Sequence, residues 1–235
     1  MIARRASILR VIGLAELELR ITGCRKCPRL VAWREQVARE KRAAFRDWDY
    51  WGRPVPGFGD PAARIYILGL APAAHGGNRT GRVFTGDRSG DWLFGSLHRT
   101  GLANQATSVS LDDGLEMRDA FVAASVRCAP PANKPLPSER DNCLPYAAAE
   151  LGLLTETKVI VCLGSFAWNA ALRLIGGIRP KPKFGHLAEA SKDGEPVLLG
   201  CYHPSQQNTF TGKLTEEMLD RVFRRAQEIA GLPYS

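Results

Sequence analysis

Residues Arg64–Leu70 read RIYILGL and run without a break into APAAHGGNRTGRVFTGD, residues Ala71–Asp87. A short, nearly continuous aliphatic run followed by Gly, Ala and Pro describes a strand buried on both faces with a tight loop at its carboxyl end. Phe121–Arg127, Lys158–Leu163 and Pro196–Tyr202 have the same form. Doubly buried strands belong to a parallel sheet covered by helices, and helical patterns lie between these runs. Ser138–Leu154 opens with Ser138 and Asp141 in a capping-box arrangement, and Ser165–Ile175 follows a turn at Gly164. Thr215–Ala230 places Met218, Leu219, Val222, Phe223, Ala226 and Ile229 on one face. The spacing predicts an α/β fold: a three-layer sandwich with a central, mainly parallel four-stranded sheet flanked by helices, in a single domain over residues 1–235. Arg53–Pro61, rich in Pro and Gly, reads as a surface loop.

With 235 residues, 45% of them apolar, the chain is long enough for one sizeable core. Lys and Arg number 32 against 24 Asp and Glu, and the net charge of +8 favours a polyanionic partner: DNA, RNA or an acidic membrane. A single basic run such as Arg39, Lys41 and Arg42 is equally a solvated helix face. Arg4 and Arg5 precede an apolar stretch, but Glu16 and Glu18 interrupt it and no small-residue cleavage site follows, so a secretory leader is not expected. No apolar run approaches the ~18 residues of a membrane span, and a cytoplasmic location is expected. In that setting six cysteines read as metal ligands or buried apolar residues rather than disulfides.

Cys24 and Cys27 form a Cys-x-x-Cys pair, and Cys128 and Cys143 lie far along the chain. Structural zinc, a four-cysteine iron–sulfur cluster and unligated thiols all suit these residues, and spacing alone does not choose between zinc and a cluster. Cys162 and Cys201 lie within strand runs, where packing is the ordinary role.

In a doubly wound sheet, ligands gather where loops leave the carboxyl ends of the strands. The unusual segments Gly69–Gly90, Cys128–Lys134 and His203–Gly212 follow three of the strand runs, with Gly164 and Ser165 after the fourth. They offer residues with competing readings. His203 is either a site residue or a histidine satisfied at a strand end. Asp87 is either a functional carboxylate or, with Asp91, a cap for the helix that Trp92 begins. Phe84 is either a stacking ring or core. His98 and His186 have no constellation around them, and no Gly-x-Ser-x-Gly elbow points to a serine hydrolase.

Three segments, GLAPAAHGGNRTGRVFTGD (Gly69–Asp87), RCAPPANKP (Arg127–Pro135) and CYHPSQQNTFTG (Cys201–Gly212), resemble the motifs of the uracil-DNA glycosylase superfamily. With CRKC near the N-terminus, the resemblance is to family 5, whose members carry an iron–sulfur cluster. The related family 4 typically has a Glu directly after the first motif Gly and another acidic residue soon after. Here Leu70 and Ala73, Ala74 and His75 occupy that region.

The resemblance implies an enzyme that hydrolyses the N-glycosidic bond of uracil, and of other deaminated bases such as hypoxanthine, in double-stranded DNA. It implies a monomer without membrane association, placed at the nucleoid in a prokaryote. It places a [4Fe–4S] cluster on Cys24, Cys27, Cys128 and Cys143 in a structural role, with Arg25, Lys26 and Arg29 near DNA phosphates. His203 would donate to a base oxygen, and Asp87 and Asn133 would serve the sugar side or the water. Phe84 would stack on the flipped base. Gly69, Ala71 and Pro72 would form the tight loop beneath it, with His75 in the same loop. Ser205 and Asn208, with Gln206 and Gln207, would enter the gap left by the base. Two alternatives remain at this stage: a family 4-like, uracil-only glycosylase, and a non-catalytic nucleic-acid-binding protein held together by its metal site.

Overall fold

The structure, a computed structural model, describes residues 13–233. Arg4 and Arg5, which enter the reading against a leader, lie outside the described residues. The strands are Phe58–Gly59 (β1), Ile65–Gly69 (β2), Ala120–Ala124 (β3), Val159–Leu163 (β4), Glu189–Ala190 (β5) and Val197–Cys201 (β6). The helices are Leu14–Thr22 (α1), Pro28–Glu40 (α2), Gly77–Thr80 (α3), Arg88–Arg99 (α4), Pro137–Leu153 (α5), Ser165–Leu174 (α6), Gln206–Phe210 (α7) and Glu216–Ala230 (α8).

The strands form one sheet in the order β1-β3-β2-β4-β6-β5. The four central strands are mutually parallel, as their apolar runs require, and the short β1 and β5 pair antiparallel at the two edges. The sheet therefore has six strands rather than the expected four. β1 also corrects the surface-loop reading of Arg53–Pro61: Phe58 pairs with Val122, and Val55 is fully buried.

Alternation along β2 shows how both faces are covered. Ile65 and Ile67 join a core with Leu93 and Phe94 of α4 and Val222 and Phe223 of α8. Tyr66 and Leu68 point the other way, into a core with Trp168 and Ala171 of α6 and partly buried Leu144 and Leu151 of α5. Cys162 and Cys201 are wholly buried, one in each of these cores, as packing predicts.

α8 follows its amphipathic pattern, with Thr215 as N-cap accepting from the Met218 N–H at 3.2 Å. The α5 start differs from the Ser138–Asp141 reading. Its N-cap is Leu136, and the Glu139 carboxylate reaches back to the Leu136 N–H at 2.7 Å, while Asp141 pairs with Arg140. Among the described residues no helix is long and apolar enough to cross a membrane.

Candidate functional site

The four parallel strands end at Gly69, Ala124, Leu163 and Cys201, and the segments leaving β2, β3 and β6 line an open cleft of about 760 Å³. Ala71, His75, Phe84, Asp87, Asn133, His203 and Ser205 line it, as do Gln206 and Gln207. Gly69, Pro72 and Asn208 support the wall from behind. A Cβ on Gly69 would come within 2.7 Å of the Phe84 ring, and one on Gly77 within 3.0 Å of Pro72, so both contacts depend on glycine. Asn208 Nδ2 donates to the His203 carbonyl at 2.9 Å and fixes the start of that loop.

The turn from Phe84 to Gly90 is unusually tight. Phe84 adopts φ 53°, a left-handed conformation costing about 1–3 kcal/mol for such a residue. Its carbonyl lies where a Cβ on Gly90 would approach to 1.8 Å. Asp87 caps α4, with Oδ1 accepting from the Gly90 N–H at 3.1 Å. The other oxygen, Oδ2, lies against Gly76, 2.1 Å from where a Cβ would stand. Burial raises the Asp87 pKa, while the Gly90 and Ser89 N–H groups and the Arg79 charge pull it down.

His203 approaches Gly164, whose φ of 92° favours glycine and whose missing Cβ would be 3.4 Å from the His203 Cβ. Its ring centroid is 6.0 Å from that of Phe84. Burial lowers its pKa to about 4, so the imidazole is neutral at pH 7 and carries one N–H. His75 Nδ1 is 3.0 Å from the Tyr50 hydroxyl, and its pKa is lowered by burial and by Arg42 and Arg79. Asn133 reaches the cleft from a turn in which Ala132 and Asn133 both have positive φ, 51° and 55°. His98 is exposed, and His186 stacks on Tyr202 outside the cleft lining.

Two supports escape the sequence reading. The first is Gly76, which makes room for the Asp87 carboxylate; the Gly76–Gly77 pair is its only sequence signal. The second is Arg79, 4% exposed, whose Nε donates to the His75 carbonyl at 2.8 Å and whose Nη2 donates to the Gly86 carbonyl at 3.0 Å. Its guanidinium lies 4.0 Å from the Phe45 ring centroid and 4.1 Å from that of Trp48, tying both sides of the Asp87 loop to the segment after α2. Nothing in the sequence distinguishes Arg79 from a surface arginine.

Cys24, Cys27, Cys128 and Cys143 line one narrow hollow, with Leu30, Arg34, Asn142 and Tyr146 among its walls. Two of the sulfurs accept hydrogen bonds, Cys128 from Arg34 Nη1 at 2.8 Å and Cys27 from Asn142 Nδ2 at 3.3 Å, while Tyr146 and Arg127 border the same hollow. Burial pushes the Cys128 thiol up to about 12 and raises Cys143 as well. Such thiols stay neutral unless a metal takes the proton's place. Among the described residues no group of three or more His, Cys, Asp or Glu side chains is set to hold a single metal ion. Of the arginines expected near phosphates, Arg25 pairs with Glu35, and Arg29 holds Glu139 through Nε at 2.8 Å and Nη2 at 2.7 Å. Lys26 lies over the Tyr146 ring.

Comparison with known proteins gives a consistent result. Residues 56–227 match the uracil DNA glycosylase superfamily. A type-5 uracil-DNA glycosylase of Mycobacterium tuberculosis is 56% identical over 222 residues, covering 94% of this chain and 83% of that protein. The type-5 enzyme of Thermus thermophilus is 51% identical over 212 residues, 90% of this chain and 96% of its own. By contrast, a type-4 uracil-DNA glycosylase of Pyrobaculum aerophilum is 28% identical over 200 residues, 83% of this chain and 84% of its own.

Proposed function

The chain belongs to the uracil DNA glycosylase superfamily, on its type-5 side, and from that membership we propose that it hydrolyses the bond between uracil N1 and deoxyribose C1′ in DNA as a step of base excision repair. The observation that carries the reading is the meeting of Phe84 and Asp87, from the segment after β2, with His203, from the loop after β6, around one cleft. Breaking this bond leaves positive charge on the sugar and negative charge on the base, so a catalyst needs a donor toward the base and an anion or positioned water toward the sugar.

The base must first leave the stack. Phe84, held over Gly69 in a strained backbone, offers a ring face to the flipped base. His203, neutral at pH 7, donates its one N–H to a base oxygen and stabilises the departing anion. Asp87 is anionic toward the sugar or takes a proton from the attacking water, and a carboxylate of raised pKa is the better base. Asn133 assists in placing that water. Ser205, Gln206 and Gln207 enter the gap in the duplex, with Asn208 bracing their loop from behind rather than entering as the resemblance implies, and His75, held by Tyr50, borders the entrance.

Double-stranded DNA and a substrate range that includes hypoxanthine belong to the same proposal. The small side chains of Ala71, Ala73 and Ala74 on the cleft wall, in place of acidic residues, leave room for a bicyclic base. The protein acts as a monomer in this reading, on chromosomal DNA.

The cysteine hollow suits a [4Fe–4S] cluster held by Cys24, Cys27, Cys128 and Cys143. Support comes from the gathering of all four cysteines at one hollow, from the donors aimed at Cys128 and Cys27, a pattern that thiolate ligands accept, and from the match to type-5 relatives. When bound, the cluster supplies thiolate–iron cross-links between the α1–α2 junction and the β3–α5 unit. Arg34 and Asn142 orient two of the sulfurs from outside.

Incubation of the purified protein with duplexes carrying a single uracil or hypoxanthine, followed by alkaline cleavage, tests the function. Strand cleavage at the modified position, with the free base released, is expected. Intact strands in both duplexes would overturn the reading.

A further inference from the structure

We infer that Arg34 is the electrostatic partner of the centre held by the four cysteines, tuning its reduction potential and shielding it from solvent. The inference rests on the cluster reading above.

Arg34 projects from α2 and is 2% exposed. Its Nη1 donates to Cys128 Sγ at 2.8 Å and its Nη2 to the Cys24 carbonyl at 3.1 Å, while its buried Nε has no protein partner. Arg127, 1% exposed, also borders the hollow and leaves Nε and Nη1 without partners. A buried guanidinium N–H without an acceptor is expensive, and three such groups beside one hollow call for acceptors that the protein does not supply. Thiolates and the inorganic sulfides of a cluster are acceptors of that kind.

Charge separates the two arginines. Arg127 is neutralised by Glu150, whose Oε2 also accepts from the Tyr66 hydroxyl. The carboxylate near Arg34 is Glu35, at 4.0 Å, and Glu35 is engaged by Arg25. Arg34 is thus a buried cation whose counter-charge the protein provides only weakly. A cluster ligated by four thiolates bears net negative charge and supplies it. Adding one electron from an external reductant increases that negative charge without making or breaking a bond, so a cation hydrogen-bonded to a ligand sulfur favours the reduced state. Arg34 also lines an open cleft of about 610 Å³ on its other side, with Arg39, Tyr50 and Arg53. It therefore stands between that cleft and the buried Cys128.

The test uses the full chain purified anaerobically as wild type, Arg34→Lys and Arg34→Gln, with iron and sulfide content, visible absorbance, mediated redox titration and iron release in air as readouts. Gln keeps size and a donor but removes the charge; Lys keeps the charge. The expected result is that Arg34→Gln lowers the ratio of reduced to oxidised centre at a given poise by about tenfold, equivalent to about 59 mV for one electron. Arg34→Lys should stay nearer the wild type in potential, and both variants should release iron faster. Wild-type potentials and release rates in both variants would overturn the inference. Wild-type protein without iron and sulfide would instead overturn the cluster reading on which it rests.

Discussion

Asp87 divides its two oxygens between a helix cap and the cleft, and the division depends on a hydrogen atom at Gly76. A methyl group there would stand 2.1 Å from Oδ2, too close for the carboxylate to hold its place. Gly76→Ala is therefore expected to slow single-turnover excision by about 10²-fold or more, the scale of a misplaced catalytic group, with duplex affinity within a few-fold. Excision near the wild-type rate would show that the carboxylate position is immaterial. The titrations carry a second expectation. Burial lowers His203 to about 4, so it stays neutral as pH falls through the ordinary histidine range, whereas Asp87, raised by burial, takes up a proton earlier than an exposed aspartate. Single-turnover rates should rise with pH through the raised Asp87 value and show no inflection near ~6.5. An inflection there that His203→Gln abolishes would contradict the neutral-histidine role.

At the scale of elements, the strands readable in advance were those whose entire length is buried: RIYILGL and its three counterparts show no polar alternation because helices cover both faces. The edge strands β1 and β5 were illegible because each is two residues long and held by its neighbour rather than by its own pattern. The α5 start differs from the pattern because Ser138 and Asp141 imitate a capping box two residues beyond the Leu136 and Glu139 that form the helix start. Site residues were legible where a motif follows a strand, as at Asp87 and His203. Gly76 and Arg79 were not, because their roles lie in contacts that only the folded chain creates. The cysteines join the two kinds of information: Cys128 follows β3, Cys143 lies on α5, and Cys27 caps α2. Cys128→Ala should consequently reduce iron content and soluble yield more than Cys162→Ala, which removes one sulfur from a packed core. Equal yield and iron in the two variants would dissociate Cys128 from the centre.

The whole molecule carries a net charge of +8, but location decides which charges matter. Arg25 and Arg29 are taken up by Glu35 and Glu139, whereas Arg42 and Arg88 line the cleft. Binding to duplex DNA should weaken steeply with salt, and Arg88→Ala should lower the magnitude of the log–log slope by about one, while Arg29→Ala should act on stability instead. A slope unchanged in Arg88→Ala would remove that residue from the phosphate contacts. In the proposed reaction Asp87 and His203 act on opposite ends of the breaking bond, and substrates with different leaving groups separate the two. Asparagine also caps helices, so Asp87→Asn spares α4 and isolates the carboxylate's other task. The decisive measurement is single-turnover excision of uracil and hypoxanthine at saturating enzyme by wild type, Asp87→Asn and His203→Ala. Losses of about 10²-fold or more are expected, similar for both bases in Asp87→Asn and dependent on the base in His203→Ala. Near-wild-type excision by Asp87→Asn, or an identical loss on both bases in His203→Ala, would contradict it.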